Sequence, residues 1–204
     1  HRILSGSLAP GSKLDQYELA DDMSMSITPV REAIRRLSTE GLIELGSHRT
    51  ARIAGVGAAE ARELHEVRLL LDPGAAELAA QRRTEGDLAD LREAASRLVP
   101  VTREQGEEAL VAHRAFHRAI YLASHNDVLI AALDDLWDKS DRYRRLGLLL
   151  PTGSAPRLQD HEEHLQLLGL VEAGDGPGAR ALMQAHIERS LTPDVIAALD
   201  AAGA

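Results

Sequence analysis

Ser26-Ile27-Thr28-Pro29-Val30-Arg31-Glu32-Ala33-Ile34, followed by Glu40-Gly41-Leu42-Ile43, is the stretch on which the fold turns. The Ser-x-Thr start, with Pro29 directly after it, reads as a helix that begins sharply. Thr28 is expected as the N-cap and Pro29 at the first helical position, with Glu32 complementing the positive helix end. Val30, Ile34 and Leu37 recur at helical spacing and mark a buried stripe. Arg31, Arg35 and Arg36 stand on the exposed side. A short helix with arginines near its start suits the major groove of DNA, where the first residues of such helices reach base edges.

The flanking residues extend the pattern. Leu14 to Ala20 reads as a short helix, and Ser24-Met25-Ser26 as the turn that joins it to the arginine helix, the layout of a helix-turn-helix. Beyond Gly41, Leu42-Ile43-Glu44-Leu45 and Arg49-Thr50-Ala51-Arg52-Ile53 read as two strands around the polar turn Gly46-Ser47-His48. Such a wing can set Arg49 against phosphates or a minor groove. The plainer reading is a small helical subdomain whose arginines are merely its wet face. Cap, turn, second helix and wing in succession favour DNA.

Pro10-Gly11-x-x-Leu14, Glu18-Leu19-Ala20, the Ser26–Ile34 stretch and Glu40-Gly41-Leu42 together resemble the winged helix-turn-helix of GntR-type bacterial transcription regulators, from about Ile3 to Ile53. The resemblance implies DNA contacts from Arg31 and Arg35, with Ser26, Thr28 and Arg49 behind them. Two positions depart from the family pattern. Ile27 stands where Arg is usual, and Thr50 where Gly is usual. The first puts the usual operator sequence in doubt, though not DNA binding.

A chain of 204 residues has room for one or two domains. Hydrophobic residues make up 44% and aromatics only 2%, so the core must be built from Leu, Ala, Val and Ile, as in helical bundles. The absence of cysteine excludes disulfides and thiolate metal sites and suits the cytoplasm. No apolar run approaches the ~20 residues that span a bilayer, so no membrane partner is expected. The chain opens on His1, which suggests a truncated first helix. The net charge of −9 looks wrong for a DNA binder until it is divided. Residues 1–55 carry seven basic and seven acidic side chains, and the whole excess lies in residues 56–204. Two modules with different tasks follow: a DNA-binding domain over 1–55 and an acidic companion over 56–204, hinged at Gly55-Val56-Gly57.

Helical periodicity begins directly after that hinge. Ala58 to Ala80 reads as one long helix with Leu64, Val67, Leu71 and Leu78 among its apolar positions and a bend at Pro73. Further helices are expected at about 84–98, 103–124, 127–148, 158–173 and 177–190, with a last one after Pro193. The fold class is therefore mainly α: a winged helix-turn-helix with a small β wing, then an all-α bundle of six to seven helices.

The chemistry of the bundle lies in its histidines. His113 and His117 stand four apart and project from one helix face. His164 and His186 lie on two later helices, and facing helices of a bundle can bring all four together around an ion. Imidazole suits Zn, Ni, Cu or Fe. Spacing alone leaves ordinary surface or core histidines as the alternative. Here a second resemblance enters. Glu63 to Asp72, Phe116 to Asn126, Glu163-His164, Gly174-Asp175 and His186-Ile187 look like the FCD effector domain of the FadR subfamily, over roughly residues 58–190. It implies a divalent metal, zinc first with nickel or iron as the other ions, held by His117, His164 and His186. His113 stands where Asp is usual. Four neutral ligands would leave the full charge of the ion open to an anion. A small carboxylate effector is therefore expected, with Arg68 as a second anchor, and Arg142 and Arg145 behind it. Arg68 could equally form an internal salt bridge to Asp72. His65, His125 and His161 are set aside as surface or turn residues.

The function implied is a cytoplasmic regulator, more often a repressor in this family. It would bind double-stranded, palindromic operator DNA as a homodimer and respond to a carboxylate metabolite. Two alternatives stay open. The metal could be purely structural or itself the signal. Alternatively, a histidine-bound metal could activate water with Glu163 or Asp160 as general base.

Overall fold

The computed structural model describes residues 2–3, 7–46, 50–55, 57–99, 106–149 and 158–202. Among these the chain is mostly helical, with a single small sheet. The N-terminal module runs β1 (Lys13–Leu14), α1 (Gln16–Asp22), α2 (Ile27–Thr39), β2 (Ile43–Leu45) and β3 (Ala51–Ile53). Its strands are antiparallel in the order β1-β3-β2. Leu14 and Leu45 flank Ala51, and Ile43 lies opposite Ile53. Leu14, Ala20, Val30, Ile34, Ile43, Ala51 and Ile53 form its core, with Leu37 packed at the edge.

Three local expectations shift. Leu14 does not open the first helix; it belongs to β1, and Asp15 caps α1 by accepting the backbone N–H groups of Tyr17 and Glu18. A cap must sit outside the helix, so Asp15 moves the start to Gln16. Nor is Thr28 the cap of α2. Ser26 occupies that place through its backbone alone, which makes Pro29 the third helical residue. Proline lacks an N–H, and the whole first turn has no intrahelical use for one, so Pro29 does not single out one start. The end of α2 is sharper. Gly41 takes φ +75°, Leu42 N–H reaches Leu37 O at 2.9 Å and Gly41 N–H reaches Ser38 O at 3.1 Å. This is a Schellman cap, and the positive φ is what requires glycine.

Seven helices follow among the described residues: α3 (Ala58–Arg82), α4 (Glu85–Ser96), α5 (Gly106–Ala123), α6 (Asp127–Leu149), α7 (Leu158–Ala173), α8 (Gly176–Ser190) and α9 (Pro193–Ala202). The long α3 is the central pillar and packs against α5 to α9, most extensively against α8. Ala75, Ala76, Ala79 and Ala80 on it are fully buried, and their small side chains let neighbouring backbones approach closely. The helix runs unbroken through Pro73, which is itself buried. Val67, expected among its apolar positions, is exposed; the turn that carries it buries Leu64 and Arg68 instead. Thr84 and Asp87 close a capping box at the start of α4. The main core cluster is built from Ala, Leu, Ile, Val and Met183 around three aromatics, Phe116, Tyr121 and Trp137, each of which contacts a histidine ring; Tyr143 lies in a separate cluster.

A buried histidine cluster and a candidate nucleic-acid interface

His113 and His117 leave α5 on its buried face, one turn apart, because Ala109, Ala112, Phe116 and Ile120 turn the same face inward. His164 comes from α7, where Leu167 and Val171 set the inward stripe; His186 comes from α8 between Met183 and Ile187. All four imidazoles are buried, between 0% and 7% exposed. One ring nitrogen from each lies within 4.8 Å of all the others. His117 Nε2 and His164 Nε2 approach to 3.0 Å. Trp137 closes one side, 5.1 Å from His117 and 5.6 Å from His113 between ring centroids, and Phe116 stands edge-on to His164 at 5.2 Å.

The donor set fits a borderline transition metal. Nitrogens bound at about 2.0–2.1 Å in a tetrahedral shell sit about 3.3 Å apart; the His117–His164 pair at 3.0 Å is near that spacing, and all four nitrogens fall within 4.8 Å of one another. Burial lowers the pKa of His186 below the ordinary histidine value, against the opposing pull of Glu163 and Asp160. Neutral imidazoles are the form that ligates.

Glu163 is the group that the spacing of histidines does not reveal. Its Oε2 lies 2.9 Å from His186 Nδ1, and its Oε1 accepts from Gln159 Nε2 at 2.8 Å and from Arg189 Nη2. Burial pushes its carboxyl up, but these hydrogen bonds and charges outweigh burial and leave it below the usual carboxylate range. The available signal was its position directly before His164.

Arg68 takes the internal ion pair. Its Nε and Nη2 donate to Asp72 Oδ2 at 3.0 and 2.7 Å, one turn on along α3, and the guanidinium lies 4.7 Å from the Trp137 ring. Burial works against its charge, yet Asp72 and Tyr121 raise its pKa above the ordinary value. The ion pair stands behind Trp137, whose indole N–H donates to Tyr121 Oη at 2.8 Å. The side chains of Arg142 and Arg145 lie outside the described residues.

The second candidate surface is on the N-terminal module. A depression of about 340 Å³ is lined by Gln16, Arg31, Ile34, Arg35, Leu45 and Gly46, so α1, α2 and the base of the wing share it. Arg35 is exposed on it. Ser26 and Thr28 are exposed as well, but they do not line it. Arg31 is half-buried and donates to Gln16 Oε1 and Tyr17 Oη, both at 3.3 Å. Gln16 and Tyr17 were not anticipated; only the turn geometry brings them under the arginine. Arg49 lies outside the described residues. Arg36 pairs with Glu40, and Arg52 donates to Gly11 O.

Both modules are similar to known proteins. The chain matches the gntR family of bacterial regulatory proteins over residues 1–53 and the FCD domain over residues 63–189. It is 32% identical over 91% of its length to 92% of the HTH-type transcriptional regulator LutR of Bacillus subtilis. It is 29% identical over 94% of its length to 86% of McbR of Escherichia coli. The solved structure of E. coli McbR/YncC superposes with a TM-score of 0.79 at 28% identity, covering 93% of this chain and 89% of that one. These relatives are transcription regulators and not enzymes, which removes the water-activating alternative. This chain is a DNA-binding member of the GntR family of bacterial transcription regulators, of the FadR-like kind that carries an FCD domain.

Proposed function

We propose that the chain is a repressor which binds a palindromic operator as a homodimer and whose operator affinity changes when a small carboxylate occupies the helical module at a metal held by His113, His117, His164 and His186. The convergence of four buried imidazoles from three helices carries this reading. A structural bundle has no need for four clustered, desolvated rings, whereas a divalent ion does. Zinc comes first, with nickel or iron as the other ions. The bound metal would supply a Lewis-acidic centre; the chain supplies neutral nitrogens and excludes water with Trp137 and Phe116. Arg68 would offer the carboxylate a second contact only by sharing its guanidinium with Asp72. As a DNA-binding regulator the protein works in the cytoplasm.

Control then follows from differential binding. A ligand shifts operator affinity by no more than its preference between two placements of the paired winged helices. Isothermal titration of mono-, di- and tricarboxylates with metal-loaded and metal-stripped protein tests this. Affinity that needs the metal supports it, and identical affinity in both forms refutes it.

One observation favours a second reading. Four imidazoles complete a tetrahedral shell, and a closed shell is the mark of a structural zinc site. A carboxylate would need a five- or six-coordinate ion. If removing metal unfolds the bundle and no carboxylate changes operator binding, the structural reading replaces the first.

A further inference from the structure

We propose that Glu163 is the positioning residue of the histidine cluster, and that its buried carboxylate supplies, one imidazole removed from the ion, the negative charge that four neutral ligands do not bring. This inference rests on the metal reading above. Glu163 Oε2 lies 2.9 Å from His186 Nδ1, with the two side chains only 7% and 4% exposed. A carboxylate can only accept here, so His186 carries its proton on Nδ1. Nε2 is then the one nitrogen of that ring with a lone pair to offer. Glu163 contributes no atom to the four-histidine group, although it is the neighbour of His164 in sequence. It acts through His186.

The carboxylate is itself fixed. Gln159, one turn back on α7, and Arg189, three residues beyond His186 on α8, both donate to Oε1. Gln159-x-x-x-Glu163-His164 and His186-x-x-Arg189 thus interlock two of the three ligand-bearing helices. The charges are unequal in effect. Glu163 is buried, while Arg189 is 43% exposed and borders an open depression beside Gln159, so water screens its charge more than that of Glu163. An ion placed among the imidazoles therefore feels a net attraction toward Glu163. A carboxylate that orients a metal-bound histidine is worth tenfold to a hundredfold in metal affinity.

The test uses the full chain as parent, Glu163→Gln, Glu163→Ala and His164→Ala. Zn(II) affinity is measured by chelator competition, Co(II) loading by visible absorption and folding by circular dichroism. Glu163→Ala is expected to weaken Zn(II) binding about tenfold to a hundredfold and to alter the Co(II) spectrum. Glu163→Gln keeps an oxygen to accept from Nδ1–H but loses the charge. It should retain the parent Co(II) spectrum and still bind Zn(II) about tenfold more weakly. In the metal-free protein, long-range ¹H–¹⁵N spectra should show His186 fixed as the Nδ1–H tautomer in the parent and Glu163→Gln, and mixed in Glu163→Ala. If both Glu163 variants bind Zn(II) as tightly as the parent while His164→Ala loses it, the metal reading stands and this inference falls. A parent chain that takes up no metal overturns both.

Discussion

His117 and His164, from helices α5 and α7, face each other through their Nε2 atoms at 3.0 Å in the buried centre of the helical module. Without an ion, one of these nitrogens must carry a proton toward the other. With an ion, both lone pairs point at the same guest. Removing metal should therefore destabilise the native state by mass action. At a hundredfold excess over Kd a ligand adds about 2.7 kcal/mol. For a chain of this size that corresponds to a fall in Tm of about 5–10 °C on chelation. Thermal denaturation with and without chelator measures it, and His117→Ala should show no such difference.

Trp137 is the single tryptophan of the chain and lies 5.1 Å from His117. Its fluorescence should report loading directly. Titration with Cu(II) or Ni(II) should quench it and saturate near one equivalent, with a strong chelator restoring the emission. In His164→Ala the quenching should become weak and unsaturated.

In the depression between α1, α2 and the base of the wing, Arg31 and Arg35 should behave differently. Arg31 holds α1 to α2 through Gln16 and Tyr17, whereas Arg35 is exposed. Arg35→Ala should weaken operator binding by about 1–3 kcal/mol if it reads a base, or lower the salt slope by about one if it meets a phosphate. Its thermal stability should match the parent. Arg31→Ala should lose DNA affinity and stability together. Binding isotherms at several salt concentrations, beside melting curves, separate the two.

The helices were legible because their apolar residues repeat cleanly and their breaks carry Pro, Gly or Asn. Gly41 ends α2 in the left-handed conformation that glycine favours, and Asp175, in a stretch of Gly and Pro, caps α8 by accepting Gly178 N–H at 2.9 Å. What sequence could not give was set by partners. Lys13-Leu14 is a strand only because Arg52 and Ala51 pair with it. Ser26 rather than Thr28 begins α2 because Pro29 tolerates any place in the first turn. The histidines were nominated by spacing and family likeness, but Glu163 acquires its place only when α7 and α8 pack and bring His186 and Arg189 to it. Arg68 illustrates the opposite limit: the i,i+4 spacing to Asp72 allowed the ion pair that the structure forms, without choosing it over a ligand contact.

The capping box of α4 predicts a pH dependence away from the histidine cluster. Asp87 accepts from Thr84 N at 2.7 Å and lies 2.8 Å from His125 Nε2. Burial raises its pKa, but the bonds from Thr84 and His125 outweigh burial and hold it below the ordinary Asp value of 3.8. A depressed carboxyl stabilises the fold above the unfolded value and loses that contribution as pH falls through the folded one. Asp87→Asn should therefore cost about 1 kcal/mol at neutral pH. The gap between variant and parent should close below about pH 4. Urea denaturation across pH 3–7 measures it.

Metal analysis of untagged, chelator-free protein beside His164→Ala tests the central claim most directly. About one equivalent in the parent and a large loss in the variant is the result expected of a cluster that holds an ion. No metal in either protein would make the four imidazoles ordinary bundle residues, and would move the search for an effector to ligands that need no metal.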